Sequence, residues 1–217
     1  MMGRSAVAAE ARTVPRWVRI VAVLGLVGVT AYVASWAVAG AVTAGYDPME
    51  QAISELFAVG APTLPRMLLV VSLVASGVAL LAFGPAMDRG LPGHGRAGPV
   101  VASVSGVMTV LIVAFPCTAG CPGAGTSFTD TMHVVVAGTG YLSLLLAPLL
   151  VAWRVRDHDR SLAVWSVVLG GVALAGFVIR NLGVADGLAG LQQRVFNTTA
   201  DLWYVVAAIW LLRRPHA

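Results

Sequence analysis

The apolar run from Val18 to Gly40, broken only by Arg19 at its start, sets the terms for everything that follows it. About 20 apolar residues in a helix span the hydrocarbon core of a bilayer. Five more such runs follow, at about 67–83, 100–115, 131–153, 162–179 and 195–212. Lipid offers no partner to backbone N–H and C=O groups, so each run must satisfy its own and fold as a helix. Composition points the same way: 58% of the 217 residues are hydrophobic and 11% charged, with a mean hydropathy of +0.84. A water-facing domain carries about 25% charged residues, so most of this surface must meet lipid. The expectation is an all-α polytopic membrane helix bundle: six transmembrane helices in a single membrane domain over 1–217, with no room for a soluble one.

The basic residues are 14 arginines and no lysine, giving a net charge of +4. In a soluble protein this balance would suggest nucleic acid. Here the positive-inside rule accounts for it, and nucleic acid is not an expected partner. With a cytoplasmic N-terminus, the tails and the 88–98 and 154–160 loops hold Arg4, Arg12, Arg16, Arg19, Arg89, Arg96, Arg154, Arg156, Arg160, Arg213 and Arg214. The other side keeps Arg66, Arg180 and Arg194. That bias predicts a multi-pass cell-membrane protein with both termini cytoplasmic, which requires an even number of spans. Residues 1–16 read as a short cytoplasmic tail. A cleaved signal peptide is the rival reading, because small residues cluster at Ala39–Ala44. The apolar run exceeds the 7–15 residues or so of a signal core, which favours an uncleaved helix.

Between the first two runs lies YDPMEQAISELFAVGAPTLPR, residues 46–66. Asp47-Pro48-Met49-Glu50 has the form of a helix start: an acceptor, a proline in the first turn, and an acid three residues on. Met49, Ala52, Ile53 and Leu56 recur on one helical face, and Gly60 would close the helix. The pattern predicts a short interfacial helix at about 47–59, either a solvated loop helix or a lid over a pocket. Glu50 and Glu55 fall on its polar side.

The densest chemistry is FPCTAGCPGAGTSFTDTMH, residues 115–133. On the outer, oxidising side, Cys117 and Cys121 read as a disulfide, as free thiols, or as part of a metal site. A structural zinc site wants four N/S ligands. His94, His158 and His216 fall on the opposite side of the membrane, so no metal or cofactor is expected. Asp130 and His133 share a helical face. Ser127 and Asp130 also form a capping box at a positive helix end. His133 sits about one turn further in, either as a hydrogen-bonded packing residue or as an acid–base or ligand-binding group.

In the sixth run Arg194, Asn197 and Asp201 form one stripe, which Tyr204 continues. Asp201 lies roughly 10 Å along the helix from Arg194, near mid-bilayer. A carboxylate there costs at least ~2.5–3.5 kcal/mol unless paired or protonated, so it must face the bundle interior. It either serves function or locks packing through an interhelical hydrogen bond. His133 is its expected partner. Arg180 and Arg194 need partners too, with Asp130, Glu50 and Glu55 as candidates. Gly171 and Ala175 give the fifth run a small-residue face of the kind that lets two helices approach.

Three of these stretches resemble a prokaryotic family of six-span membrane proteins, domain of unknown function 998. They are SELFAVGAP (54–62), FPC…DTMHVVVA (115–137) and GLAGLQQR (187–194). The resemblance implies the six-span topology, an acid and a histidine at Asp130 and His133, an arginine at Arg194, and no established activity. The two cysteines depart from the family pattern, which weakens an essential metal role for them.

Three functions compete. The first is a membrane enzyme or binder for a lipid-like or isoprenoid molecule, with a pocket opening to the outer leaflet under the 47–60 helix and the 116–130 loop. His133, Asp201 and Asp130 would supply proton chemistry. Arg180 and Arg194 would hold an anionic head group. Asn197, Glu55, Trp203 and Tyr204 would complete the pocket. Acid-initiated isoprenoid cyclisation is one version, since it needs a protonated carboxyl deep in an apolar cavity. The second is a non-catalytic accessory or immunity-type protein whose polar stripe only locks packing. The third is a small oligomeric transporter, although no broken-helix pair or internal repeat is visible. Phosphatase and protease chemistry fit poorly: GxSxG, HExxH and an aspartate-rich prenyl-diphosphate motif are all missing.

Overall fold

The computed structural model describes residues 14–215. The tail with Arg4 and Arg12, and His216, lie outside the described residues. Six helices carry the fold: α1 (Arg16–Val42), α2 (Thr63–Gly90), α3 (Ala97–Leu111), α4 (Phe128–Val155), α5 (Arg160–Asn181) and α6 (Ala189–Leu212). A 3-10 turn, Ile112–Ala114, prolongs α3. All six helices are long and apolar enough to cross a membrane. Each helix packs on the next in sequence, and α6 closes the ring against α1. Val14 N donates to Pro215 O at 2.9 Å, so the two ends of the described chain meet at one end of the bundle.

The second helix runs well past the apolar stretch that predicted it, through Pro85. A proline there removes the N–H that would bond the carbonyl four residues back, at Leu81. The Ser103 hydroxyl, from α3, donates to that Leu81 carbonyl at 2.9 Å. Neighbouring side chains that re-satisfy freed backbone groups let membrane helices carry proline.

Close approach of α2 and α3 depends on glycine. A Cβ added to Gly106 would lie 2.3 Å from Leu81 N and 2.6 Å from Gly77 O. Gly171, by contrast, has nothing within 4 Å. The small-residue face predicted at Gly171 and Ala175 is therefore corrected: on α5 it is Gly170 that meets Pro148 and Leu149 of α4, and Gly176 that meets Phe196 of α6. A small residue facing lipid and one facing a helix look alike in sequence. Gly106→Ala should lower stability by about 1–3 kcal/mol through overpacking. Gly171→Ala should leave it unchanged, and thermal unfolding of the two variants in one detergent checks the pair.

Arg154, in the last turn of α4, organises the arginine-rich end. It bonds Asp88 Oδ1 at 2.9 Å and the carbonyls of Asp88, Leu91, Pro92 and Gly95. Asp159 caps α5 through Leu162 N and also accepts from Trp210 Nε1 and Arg214.

The helix expected at 47–59 is shorter and differently placed. A 3-10 helix covers only Ile53–Phe57, and its Ile53, Leu56 and Phe57 are buried against the bundle. Asp47 Oδ1 accepts from Met49 N at 2.8 Å and Gln51 Oε1 from Asp47 N at 2.7 Å, closing a local turn where a helix start was predicted. An α-helix cannot continue there because α6 has taken the carbonyls it would need. Glu50 O accepts from Gly190 N at 3.1 Å, and Met49 O from Leu191 N at 2.9 Å.

Candidate functional site

A cavity of about 100 Å³ lies among α1, α2, α3, α4 and α6, bordered by the 53–57 turn. Leu73 and Leu80 of α2, Met108 of α3, and Val136 and Leu144 of α4 give it apolar walls. On α6 the 3.6-residue period turns Gln193, Asn197 and Asp201 toward it. Asp201 is 5% exposed, and its one hydrogen bond is from Asn197 Nδ2 to Oδ2, at 3.1 Å. Among the described residues no cation pairs with it. Tyr141 of α4 receives a hydrogen bond from Gln193 Nε2 at 2.8 Å. Gln193 Oε1 accepts from Ile53 N at 2.8 Å, so one α6 side chain fixes both the cavity wall and the turn that borders it.

His133 lines the same cavity and packs against the Phe57 ring, 6.0 Å between centroids. Its Nδ1 lies 2.7 Å from Phe115 O. A carbonyl only accepts, so Nδ1 carries the hydrogen and the neutral ring keeps Nε2 as an acceptor. No hydrogen bond joins His133 to Asp201: the histidine sits in the second turn of α4 and the aspartate midway along α6, at different depths.

Arg194, 8% exposed, is spent on structure. Its Nη1 donates to Pro48 O at 2.7 Å, Gln51 O at 2.9 Å and Gly190 O at 2.9 Å, and its Nη2 donates to the Tyr46 hydroxyl. The guanidinium lies 5.4 Å from the Trp36 ring centroid and 5.5 Å from that of Tyr46, within cation–π range. Burial raises the Tyr46 pKa above its ordinary value, and the adjacent guanidinium only partly opposes this. Gly190 admits the loop: an added Cβ would lie 2.3 Å from Gln51 O and 2.6 Å from Pro48 O. The carboxylate partners expected for Arg194 are therefore replaced by carbonyls.

Two of those carboxylates, Asp130 and Glu55, are committed elsewhere. Asp130, 1% exposed, accepts from Thr118 N at 2.8 Å, Ser127 Oγ at 2.6 Å and the hydroxyls of Thr118 and Thr126. It ties the 118–127 loop to the start of α4. Glu55 accepts from Ala52 N at 2.8 Å and Gln51 Nε2 at 2.9 Å. Arg180 makes no ion pair among the described residues and is absent from the cavity wall. Trp203 and Tyr204 lock helices: Trp203 Nε1 donates to Ser166 Oγ of α5 at 2.8 Å, and the Tyr204 hydroxyl meets Ser105 Oγ of α3 at 3.0 Å.

Cys117 and Cys121 are joined as a disulfide, their Cα atoms 5.0 Å apart. Cys117 is buried and its carbonyl accepts from Val59 N at 2.8 Å, while Ala119 and Gly120 at the tip of the turn are exposed. Thiol labelling of unreduced protein should find neither cysteine reactive and, after reduction, both; full labelling without reductant would contradict the bond. Among the described residues no three of His, Cys, Asp and Glu gather where they could share a metal ion.

Of the predicted site residues, the cavity thus brings together His133, Asn197 and Asp201, and leaves out Asp130, Glu55, Arg180, Arg194, Trp203 and Tyr204. Sequence reasoning missed Tyr32, Thr109, Tyr141 and Gln193. Gln193 adjoins the arginine of GLAGLQQR and carried a weak signal. The others are single polar groups in apolar runs, and nothing in the sequence says which way each one faces.

An all-helical chain with six membrane-length helices is a multi-pass membrane protein. The family described as protein of unknown function (DUF998) matches residues 26–210, and the chain belongs to that family. No curated protein and no solved structure matches it.

Proposed function

We propose that this protein binds a small lipid-like molecule inside the membrane, with its polar end at Asp201 and Asn197 and its apolar part along α2, α3 and α4. One observation carries the reading: a membrane-buried carboxyl with a single neutral partner faces a cavity lined by apolar and uncharged polar side chains. A carboxyl is costly at that depth, and a packing role alone would be served by a second protein donor on it. The 53–57 turn, at the end opposite the arginine-rich loops, is the natural cover. The positive-inside bias puts that cover at the outer leaflet and both termini in the cytoplasm.

The volume bears on chemistry. A cavity of about 100 Å³ is on the scale of the ~150 Å³ engineered cavity that takes up benzene, room for a head group, a small ring or a short alkyl chain. Acid-initiated cyclisation of an isoprenoid would first require the 53–57 turn to move. The non-catalytic reading, in which polar residues serve packing, draws support from Arg194, Trp203 and Tyr204, all committed to loop and helix locks.

Mass spectrometry of molecules that copurify with the full chain tests the proposal, with Ala137→Phe as the comparison. Ala137 lines the cavity, so a phenyl ring there should fill it. The expected result is an enriched small molecule that the variant loses. Enrichment that survives Ala137→Phe, or no enrichment at all, would count against a ligand in this cavity.

A further inference from the structure

Hydrogen bonds already made decide which kind of polar group the cavity can accept. The Ser76 hydroxyl gives its hydrogen to Leu73 O at 3.3 Å, and Thr109 gives its own to Ser105 O at 2.8 Å. Each then presents only lone pairs to the cavity. Asn197 donates one Nδ2 hydrogen to Asp201. Asp201 Oδ1 has no partner among the described residues. Donors line the cavity as well: Tyr141 takes the Gln193 hydrogen bond on its oxygen and keeps its own hydrogen, and Tyr32 and Ser54 bring hydroxyls. Among the described residues, Asp201 Oδ1 and the Ser76 and Thr109 oxygens thus line the cavity as acceptors that no protein donor meets. No arginine lines it.

Resting on the cavity-binding reading above, we infer that the ligand is a cationic amine: a primary ammonium group on a small apolar body, docked on Asp201. An ammonium brings three N–H donors and no acceptor. One can meet Asp201 Oδ1, and Thr109 and Ser76, which line the same cavity, offer further acceptors. Charge and hydrogen bonds are then matched together, the condition under which a buried ion pair offsets its desolvation. An anionic head group would meet a carboxyl and a set of lone pairs, and would be repelled. A neutral alcohol would satisfy one acceptor and leave the carboxylate uncompensated.

The test uses the full chain in a neutral detergent and four probes of equal chain length: n-hexylamine, n-hexanol, hexanoic acid and n-hexyltrimethylammonium. Binding is read by calorimetry. Hexylamine should bind at least about tenfold more tightly than hexanol, the gain expected of one hydrogen bond to a charged group. Hexyltrimethylammonium keeps the charge but lacks N–H donors, and should bind more weakly than hexylamine by a similar factor. Asp201→Asn should abolish the preference for amine over alcohol while hexanol still binds. If that variant fails to fold, Thr109→Val carries the test, since it removes one acceptor with little change of shape and should reduce the same preference. Hexanol or hexanoic acid binding as tightly as hexylamine would overturn the amine assignment and leave the cavity-binding reading standing. Trimethylammonium binding equal to hexylamine would also overturn it, because the N–H donors would then count for nothing. If none of the four binds, both readings fall.

Discussion

Arg194→Ala should destabilise the protein by about 3 kcal/mol or more, because hydrogen bonds from a charged donor are worth roughly 1.5–3 kcal/mol each and several are lost together. The side chain holds Pro48 O, Gln51 O, Gly190 O and the Tyr46 hydroxyl at once. Without it the 46–52 loop keeps only the Gly190 and Leu191 amides as anchors on α6. Loss of that clamp should also loosen the 53–57 turn, which Gln193 holds from the adjacent position. Thermal unfolding measures the first effect, and hydrogen exchange over 46–57 measures the second. Arg180→Ala is the control, expected within about 0.5 kcal/mol of the parent. Equal effects from the two arginines would contradict the clamp. An Arg194 reserved for an anionic ligand would show the opposite pattern, with stability kept and binding lost.

Asp201→Asn should behave in the reverse sense. The amide is nearly isosteric and can still meet Asn197, while the cost of a carboxyl at mid-bilayer depth, at least ~2.5–3.5 kcal/mol when unpaired, is removed. Stability should hold or rise by up to about 3 kcal/mol, and the copurifying molecule should disappear. Trp203→Ala marks the other extreme. That ring is fully buried and bonded to Ser166, and its loss should cost about 3–5 kcal/mol. If Asp201→Asn falls toward the tryptophan variant, the carboxyl is a packing lock and the accessory reading gains. Unfolding curves for both variants, measured with the ligand analysis, separate the two outcomes.

The contrast between Arg194 and Asp201 shows where sequence reading reached its limit. Both lie on one stripe of α6, and both stood out as polar groups in an apolar run. Spacing alone assigned them to one site. The structure divides them: the loop at 46–52 comes down on Arg194, while Asp201, two turns further along, faces open volume. Nothing local to α6 encodes that difference, because it depends on a loop about 140 residues away in the chain. His133 and Asp201 likewise reach one cavity without touching, since periodicity fixes the face a residue occupies but not its depth relative to another helix.

The sequence by itself determined the six helices, their membrane-length spans and the family. Those follow from local quantities, the length of apolar runs and the lack of charge within them, which lipid turns into a requirement for helices. It also marked Asp130 as a cap, because capping is a contact over three residues. The tertiary structure decided what each buried polar group is for. Only the packed ring could show that the carbonyls of 48–51 go to α6 and end the helix predicted there, that Ser103 repairs the backbone opposite Pro85, and that Asp201 is left facing a cavity with a single neutral partner. Each is a pairing between segments far apart in the chain, and a buried polar group acquires its role from the partner that reaches it.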